Sequence, residues 1–429
     1  MSHYDVAIVG GGPAGLAAAA AVSHGQARLV IVDAAPRLGG QYWRHRPGAE
    51  PPALQRARSA AEHIPDSPVW FAEAGFRLHT PSGVICAERV VLATGAHDRS
   101  LPFPGWTLPG VVTAGGAQAL LKGQGVLVGR RVAVAGAGPF LLAVAAGLAQ
   151  AGADVVGVFE AGRLRLYGSH PRAISPAKLA EAARYAAVLA RHRVPYRPGH
   201  VVLAAHGAEA VEAVTVAGAG EHRIEVDALA ISYGFTPQVE LAVALGCDTR
   251  LDGDGSLVVT VDDDQRTSVP GVYAAGEITG VGGARLAQLE GTIAGLAATG
   301  QAVPARAIRQ RHAARRFAAA MHDVHRPPSW IEQLADDTLL CRCEEVSYRA
   351  IREAVELGGS DTRSVKLLSR AGMGWCQGRV CGYAVACLTA HLNGRVPTTK
   401  DHAAVANRRI AQPVTLQDLA THDVANTTG

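Results

Sequence analysis

The stretch Asp5-Val6-Ala7-Ile8-Val9-Gly10-Gly11-Gly12-Pro13-Ala14-Gly15 decides the fold. A short apolar strand runs straight into G-x-G-x-x-G, and an alanine-rich helix follows. Gly10 permits the tight turn, Gly12 lets backbone come close to a pyrophosphate, and Gly15 lets the helix pack against the strand. The helix N-terminus, opened by Pro13 and Ala14, offers free N–H groups and a partial positive charge to phosphates. Asp33 closes the next apolar strand, at the position where this motif carries its ribose-binding acid. A glycine motif alone is a weak signal, but strand, helix and acid together specify a dinucleotide-binding βαβ unit.

The same form recurs from Val132 to Glu160: strand, Gly136-Ala137-Gly138, alanine-rich helix, strand, acid. Its third motif position is Leu141, where Gly or Ala is expected, so the helix is expected to stand further from the strand. Glu160 occupies the ribose-reading position and favours NAD over NADP by repelling a 2′-phosphate. Two such units predict an α/β chain with two Rossmann-like domains. The expected organisation is an FAD-type domain over residues 1–105 and 226–300, a second nucleotide domain over 106–225, a helical linker over 301–335, a cysteine domain over 336–400 and a polar tail over 401–429. Within it, Ser175 before Pro176 reads as a helix N-cap, with the helix running to Arg191. Short strands are expected near Val201 and Val211, and a further helix from about Ala287.

Composition narrows the function classes. Of 429 residues, 48% are hydrophobic and only 18% charged, which is globular rather than disordered. The net charge of +4 comes from scattered basic residues, so nucleic acid is not an expected partner. The N-terminus shows no signal-peptide pattern. The long uncharged stretch Val132–Ala153 is broken by Gly136, Gly138, Pro139 and Gly152, which excludes a membrane span there. A cytoplasmic location, or one at the inner face of the membrane, is expected.

Seven cysteines are present, four of them near the C-terminus as C-x-C (Cys341, Cys343) and C-x4-C (Cys376, Cys381). Paired cysteines in an intracellular chain point to metal. Four soft thiolates admit zinc or iron–sulfur. Structural zinc sites mostly use knuckles with two to four residues between ligands, and C-x-C is tighter. The glycine-rich run Gly372-Met373-Gly374-Trp375-Cys376-Gln377-Gly378-Arg379-Val380-Cys381-Gly382 lets backbone N–H groups approach cluster sulfur. Arg342 and Arg379 are placed to offset cluster charge. Ser347 reads as the cap of a helix between the pairs, ending before Gly358, with more helix near Val365–Arg370. Cys86, Cys247 and Cys387 stand alone and are expected to pack in cores. No C-x-x-C occurs, which argues against disulfide reduction.

Residues 4–300 resemble the two-dinucleotide-domain flavoproteins, the thioredoxin reductase and glutathione reductase relatives. Beyond the first glycine motif, the marks are Gly40-Gln41, the Ala93-Thr94-Gly95 turn, and Ala275-Gly276-Glu277, where Asp is usual in place of Glu277. The resemblance implies FAD at the first site. The cysteine module resembles the bacterioferritin-associated-ferredoxin type of [2Fe-2S] domain. The combination, with Pro102-Phe103-Pro104-Gly105-Trp106 and Leu108-Pro109-Gly110-Val111, resembles the alpha-type subunits of heteromeric dye-linked amino-acid dehydrogenases. These include the B subunit of hydrogen cyanide synthase, the A subunit of opine oxidase, and the alpha subunits of proline and D-hydroxyproline dehydrogenases.

That resemblance implies several further things. A beta-type FAD subunit, related to amino-acid oxidases, oxidises the C–N bond, and a small ferredoxin-like gamma subunit joins some complexes. An interface FMN is a further implied occupant; the second glycine motif, met only in part, is expected to hold NAD, another ATP-like adenine nucleotide, or nothing. Catalytic residues are then absent from this chain. His97-Asp98-Arg99 is expected to be interface or flavin-adjacent structure. The competing expectations are a stand-alone NADH-dependent ferredoxin or dye reductase, and a scaffold with structural zinc.

Overall fold

The strands and helices follow the expected alternation. The computed structural model describes residues 2–22, 27–57, 61–73, 75–171 and 173–420. They form two compact units: one built from the N-terminal 96 residues, Pro237–Ala318 and the C-terminal stretch from Ala406, the other from His97–Thr236 and Ala319–Val405.

The first unit is organised by a sheet whose strands run in the order Glu62–Ile64, Leu29–Val32, Ser2–Val9, Gly83–Leu92, Arg77–Thr80, Phe71–Glu73. Ser2–Val9 lies parallel to both of its neighbours, pairing Val9 with Val32 and with Leu92. The short strand Val272–Ala274 adds to Gly83–Leu92, also in parallel. All these parallel strands therefore end on one side, where Gly10, Asp33, Ala93 and Ala275 begin the loops. Ligands of open α/β sheets bind at such carboxyl ends.

Two helices hold that edge together. Pro13–Val22 packs on Ala284–Ala298 through small residues. A Cβ added at Gly291 would lie 2.0 Å from the Ala14 carbonyl oxygen, and one at Gly295 would lie 2.4 Å from that of Ala18. Backbone thus meets backbone, and the first turns of both helices are fixed at the sheet edge. The second helix starts at Ala284, three residues before the sequence-based expectation. Gly283 takes a left-handed φ of 84°, and the Glu277 carboxylate accepts from the Gly282 and Gly283 N–H groups, which satisfies the donors ahead of the first turn.

The second unit contains an all-parallel sheet in the order Tyr196–Pro198, Asp154–Glu160, Arg131–Gly136, Ala228–Ser232, Val111–Thr113. One face packs on the helices Ala114–Gln124, Phe140–Gln150 and Pro176–Arg191. The other is covered by the antiparallel strands Val201–His206, Ala213–Ala217 and Glu221–Glu225, through Phe159, Val202, Val214 and Leu229. Ser175 caps its helix by accepting from Lys178 N, with Pro176 at the first position.

A 20-residue helix, Ala305–Val324, carries the chain onward to the cysteine module. That module has a two-strand corner, Leu339–Cys341 with Val346–Ser347, and the helices Tyr348–Glu356, Thr362–Ser369 and Gly382–Leu392. Ser347 caps the first helix. The second is closed at its start by a reciprocal Asp361–Ser364 capping box. The module sits on the second unit's own sheet domain. Trp330 and Tyr383 pack with Leu101, Ala137 and Tyr233, and the Trp106 indole N–H donates to Leu339 O at 2.7 Å.

No helix among the described residues is long and apolar enough to cross a membrane. Cys247 is buried as expected. Cys86 is only half-buried, because the alternation along Gly83–Leu92 turns Ile85 and Ala87 into the core and Cys86 to the opposite face.

The Gly291→Ala variant places a methyl group against the Ala14 carbonyl. Overpacking of this kind costs about 1–3 kcal/mol. Chemical denaturation is expected to show that loss together with weaker retention of flavin, whereas Gly168→Ala, next to open space and without a left-handed φ, serves as the control.

Candidate functional site

The first glycine motif has the geometry its residues demand. Gly10 has φ +106°, and a Cβ there would lie 2.3 Å from Ala93 O. A Cβ on Gly15 would lie 1.8 Å from Gly10 O. Gly12 differs: its Cβ position is open apart from Gly40 Cα at 3.9 Å. A cradle is thus left at the helix N-terminus, beside Pro13 and Ala14, of the kind a pyrophosphate occupies. Asp33 accepts from the Gly11 N–H and, at 2.7 Å, from the Ala35 N–H. Burial lifts its carboxyl above the usual range, and these two N–H groups pull it back. Gly39 N donates to Gly11 O, so the loop bearing Gly40 and Gln41 is tied to the motif, and Arg44 holds the Gln41 side chain at 3.0 Å.

On the other side of the sheet edge, Thr94 and Gly95 are fixed by Gln238. The Thr94 hydroxyl donates to Gln238 O at 2.7 Å, the Gln238 amide donates back to Thr94 O, and Gln238 N donates to Gly95 O. Gly95 has a left-handed φ of 74° and open space where a side chain would stand. Gly276 N donates to the fully buried carboxylate of Glu290 at 3.0 Å. Arg315 donates to the other Glu290 oxygen at 2.6 and 3.0 Å and also to Gly280 O at 2.8 Å. Arg311 lies 3.4 Å from the same oxygen. Glu277 turns away from this network to the Gly282 and Gly283 N–H groups at 3.2 and 2.9 Å. Burial lifts its carboxyl to about 7 against those N–H groups and Arg315. Sequence reasoning missed Glu290, Arg311 and Arg315. A lone carboxylate in the run Ala287-Gln288-Leu289-Glu290-Gly291 was the only available signal.

The second motif repeats the first with one difference. Gly136 approaches Ser232 O, and Gly138 has φ +117° with open space. Leu141 is fully buried among the helices on that side of the sheet. Glu160 accepts from Gly138 N at 3.1 Å and from Gly162 N at 2.7 Å. Asp33 likewise accepts from its motif and from the residue two positions on. But Glu160 also has His325 Nδ1 at 3.2 Å, and His325 Nε2 bonds the Tyr167 hydroxyl at 2.9 Å. Burial, with the nearby Glu160 charge, lifts the Tyr167 hydroxyl to about 12.

In the cysteine module the sulfurs meet two by two, one from each loop. Cys341 is within hydrogen-bond reach of Cys381, and Cys343 of Cys376. The hydrogen bond with Cys381 holds Cys341 down at about 5, with help from the N–H groups of Gly372, Glu344 and Cys343. The same bond, with burial, pushes Cys381 far up. Burial raises Cys343 as well. Four thiolates brought this close together call for added positive charge, which iron supplies. Two cross-loop pairs suit a two-iron cluster, and Gly372 N donating to Cys341 Sγ at 3.4 Å is the kind of contact that stabilises one. A Cβ on Gly374 would lie 2.3 Å from Cys343 Cβ, so the loops stack directly. Arg379 donates to Cys376 O and Gln377, and Arg342 is exposed. Cys387 is half-buried behind this corner, and burial lifts its thiol to about 11.

The expected His97-Asp98-Arg99 constellation contacts this module. His97 Nε2 lies 2.9 Å from Arg379 O, and Asp98 accepts from Gly115 N at 3.2 Å. The buried Arg99 guanidinium stacks 4.1 Å from the Tyr383 ring centroid.

Residues 4–315 match the family described as pyridine nucleotide-disulphide oxidoreductase, and residues 339–390 match the BFD-like [2Fe-2S] binding domain. These define a flavin-type oxidoreductase whose cofactors are FAD and a [2Fe-2S] cluster. The A subunit of opine oxidase from Agrobacterium tumefaciens is 32% identical over 97% of this chain and 91% of its own length. The HcnB subunit of hydrogen cyanide synthase from Pseudomonas protegens is 34% identical over 88% and 90%. The crystal structure of L-proline dehydrogenase from P. horikoshii superposes with a TM-score of 0.70 over 97% of this chain and 79% of that one, at 22% identity, and shares the fold. The chain belongs to the family that contains HcnB and the A subunit of opine oxidase.

Two outcomes follow from the site. Gly374→Ala is expected to abolish the visible absorbance and the reduced-state EPR signal of the cluster while leaving flavin content near wild type. Glu277 binds its proton more tightly folded than unfolded, so its ionisation weakens the fold as pH rises from about 4.5 through about 7. Glu277→Gln removes that titration. Its stability relative to wild type is expected to grow across this window, by up to about 3 kcal/mol, in denaturation series at stepped pH.

Proposed function

We propose that this chain is the electron-relay subunit of a heteromeric dehydrogenase acting on an amino acid or opine. A partner flavoprotein subunit of beta type oxidises the substrate C–N bond. The observation that carries this reading is a flavin fold joined to a four-cysteine module on a chain without a redox C-x-x-C. FAD handles electrons in pairs and a [2Fe-2S] cluster takes them singly, so the two together convert one traffic into the other. The subunit names of the relatives support the heteromeric part.

The residues take these parts. Gly10, Gly12, Pro13, Ala14 and Gly15 hold the FAD pyrophosphate, and Asp33 holds the adenosine ribose. Gly40, Gln41, Thr94, Gly95, Gly276 and Glu277 line the remainder of the cofactor. Cys341, Cys343, Cys376 and Cys381 ligate the cluster. Glu290 with Arg311 and Arg315 positions Gly276. At the second motif, Gly136, Gly138 and Glu160 keep the fold of a nucleotide site. There His325 stands where a ribose would compete for Glu160, so nicotinamide is not the electron source. Seven cysteines without a disulfide suit a reducing compartment, and we place the complex in the cytoplasm or at the inner face of the membrane.

Anaerobic stopped-flow tests this directly. The isolated chain is expected to show flavin and iron–sulfur absorbance, little bleaching with NADH, and little oxidation of proline, hydroxyproline, glycine or opines. The copurified complex is expected to reduce a dye with one of these substrates. Rapid flavin bleaching by NADH in the isolated chain establishes the stand-alone reductase instead.

A further inference from the structure

We propose that His97-Asp98-Arg99 is a clamp that holds the second cysteine loop, with His97 as its positioning residue. The inference rests on the reading above, in which Cys381 and Cys376 are cluster ligands.

The clamp grips Cys381 from both directions. Two residues before it, the Arg379 carbonyl accepts from His97 at 2.9 Å, which requires the ring to carry its proton on Nε2. Two residues after it, the Tyr383 ring lies under the Arg99 guanidinium, whose Nη1 reaches the Tyr383 hydroxyl at 3.4 Å. Arg99 is 2% exposed, and its Nη2 donates to Phe235 O at 3.0 Å, so its stacking geometry is fixed. Between them, Asp98 is anchored on Gly115 N, where even a methyl group on Gly115 would collide with the carboxylate. Arg379 in turn donates from both its backbone and its guanidinium to Cys376 O. A hold on Arg379 is therefore a hold on both cysteines of the second loop.

Groups that hydrogen-bond around metal ligands set their orientation and tune the metal, and losing one changes affinity or activity 10–100-fold. His97 does this for the second cysteine loop through Arg379.

The test compares His97→Ala with His97→Gln, which retains a donor near the Nε2 position. Flavin, iron and acid-labile sulfide are measured first. The cluster's midpoint potential by EPR-monitored titration and the rate of cluster loss to an iron chelator are measured next, on the full-length chain. His97→Ala is expected to shift the potential and to lose its cluster roughly 10-fold faster, with His97→Gln restoring both toward wild type. If His97→Ala holds no cluster, His97→Gln decides: near-wild-type potential and retention support the clamp, and a shifted potential with an intact cluster overturns it. Wild-type potential and retention in a fully loaded His97→Ala protein also overturn it. Absence of acid-labile sulfide from the wild-type chain defeats the cluster assignment and the clamp together.

Discussion

Everything at the flavin side depends on how closely two helices approach. Pro13–Val22 and Ala284–Ala298 meet through glycine and alanine, with Gly291 and Gly295 lying on the carbonyl oxygens of Ala14 and Ala18. A side chain at either glycine forces the helices apart. The first turn of one helix carries Pro13, Ala14 and Gly15, and the approach to the other carries Gly276 and Glu277. Their separation therefore fixes whether the two halves of the candidate FAD site face each other. Gly15 and Gly10 apply the same rule between helix and strand. The site is thus set by backbone contact, which tolerates far less adjustment than packed side chains do.

Buried carboxylates do the second part of the positioning. Asp33, Glu160, Glu277 and Glu290 each accept from backbone N–H groups at loop starts. Such N–H groups would otherwise be unsatisfied donors near an apolar sheet edge, and an unsatisfied buried donor costs about 1–3 kcal/mol. The four are not equivalent. Glu290 is paired with Arg311 and Arg315. Glu277 is held by the Gly282 and Gly283 N–H groups, and burial lifts its carboxyl to about 7. Glu290 with its two arginines is a framework under Gly276, whereas Glu277 fixes the approach to the second helix through Gly282 and Gly283.

The sequence made local features legible. Glycine motifs, the Ser175 and Ser347 caps, and the C-x-C and C-x4-C pairs all consist of residues that act on their near neighbours. Their chemistry can be read from spacing. What stayed hidden acts across the chain. Arg99 reaches Tyr383 over 284 positions, and Arg315 reaches Glu290 over 25 from a different helix. Nothing in the composition around Glu290 distinguishes a core carboxylate from a surface one. His97-Asp98-Arg99 reads from the sequence as interface or flavin-adjacent structure; the burial of Arg99 and the half-burial of His97 and Asp98 follow from partners that only the fold brings near. Glu160 was legible as an acid at a ribose position, but His325, its additional partner, lies at the far end of the linker helix.

That last pairing gives a nucleotide-type fold a second set of contacts. The second unit retains Gly136, Gly138 and an acid, so its strand, turn and helix still form. The acid is now also bound by the segment that leads to the cysteine module: His325 lies against Glu160 and hydrogen-bonds Tyr167, and Arg163 N donates to Val324 O at 2.9 Å. Trp330 and Tyr383 then continue the contact onto Ala137, inside the glycine turn itself. A nucleotide domain of this fold already presents a rigid edge with fixed N–H groups and a buried acid. Here they hold the segment that leads to the cysteine module. That module is therefore seated on a rigid platform of fixed N–H groups and a buried acid, and that rigidity is what holding a redox group in register requires.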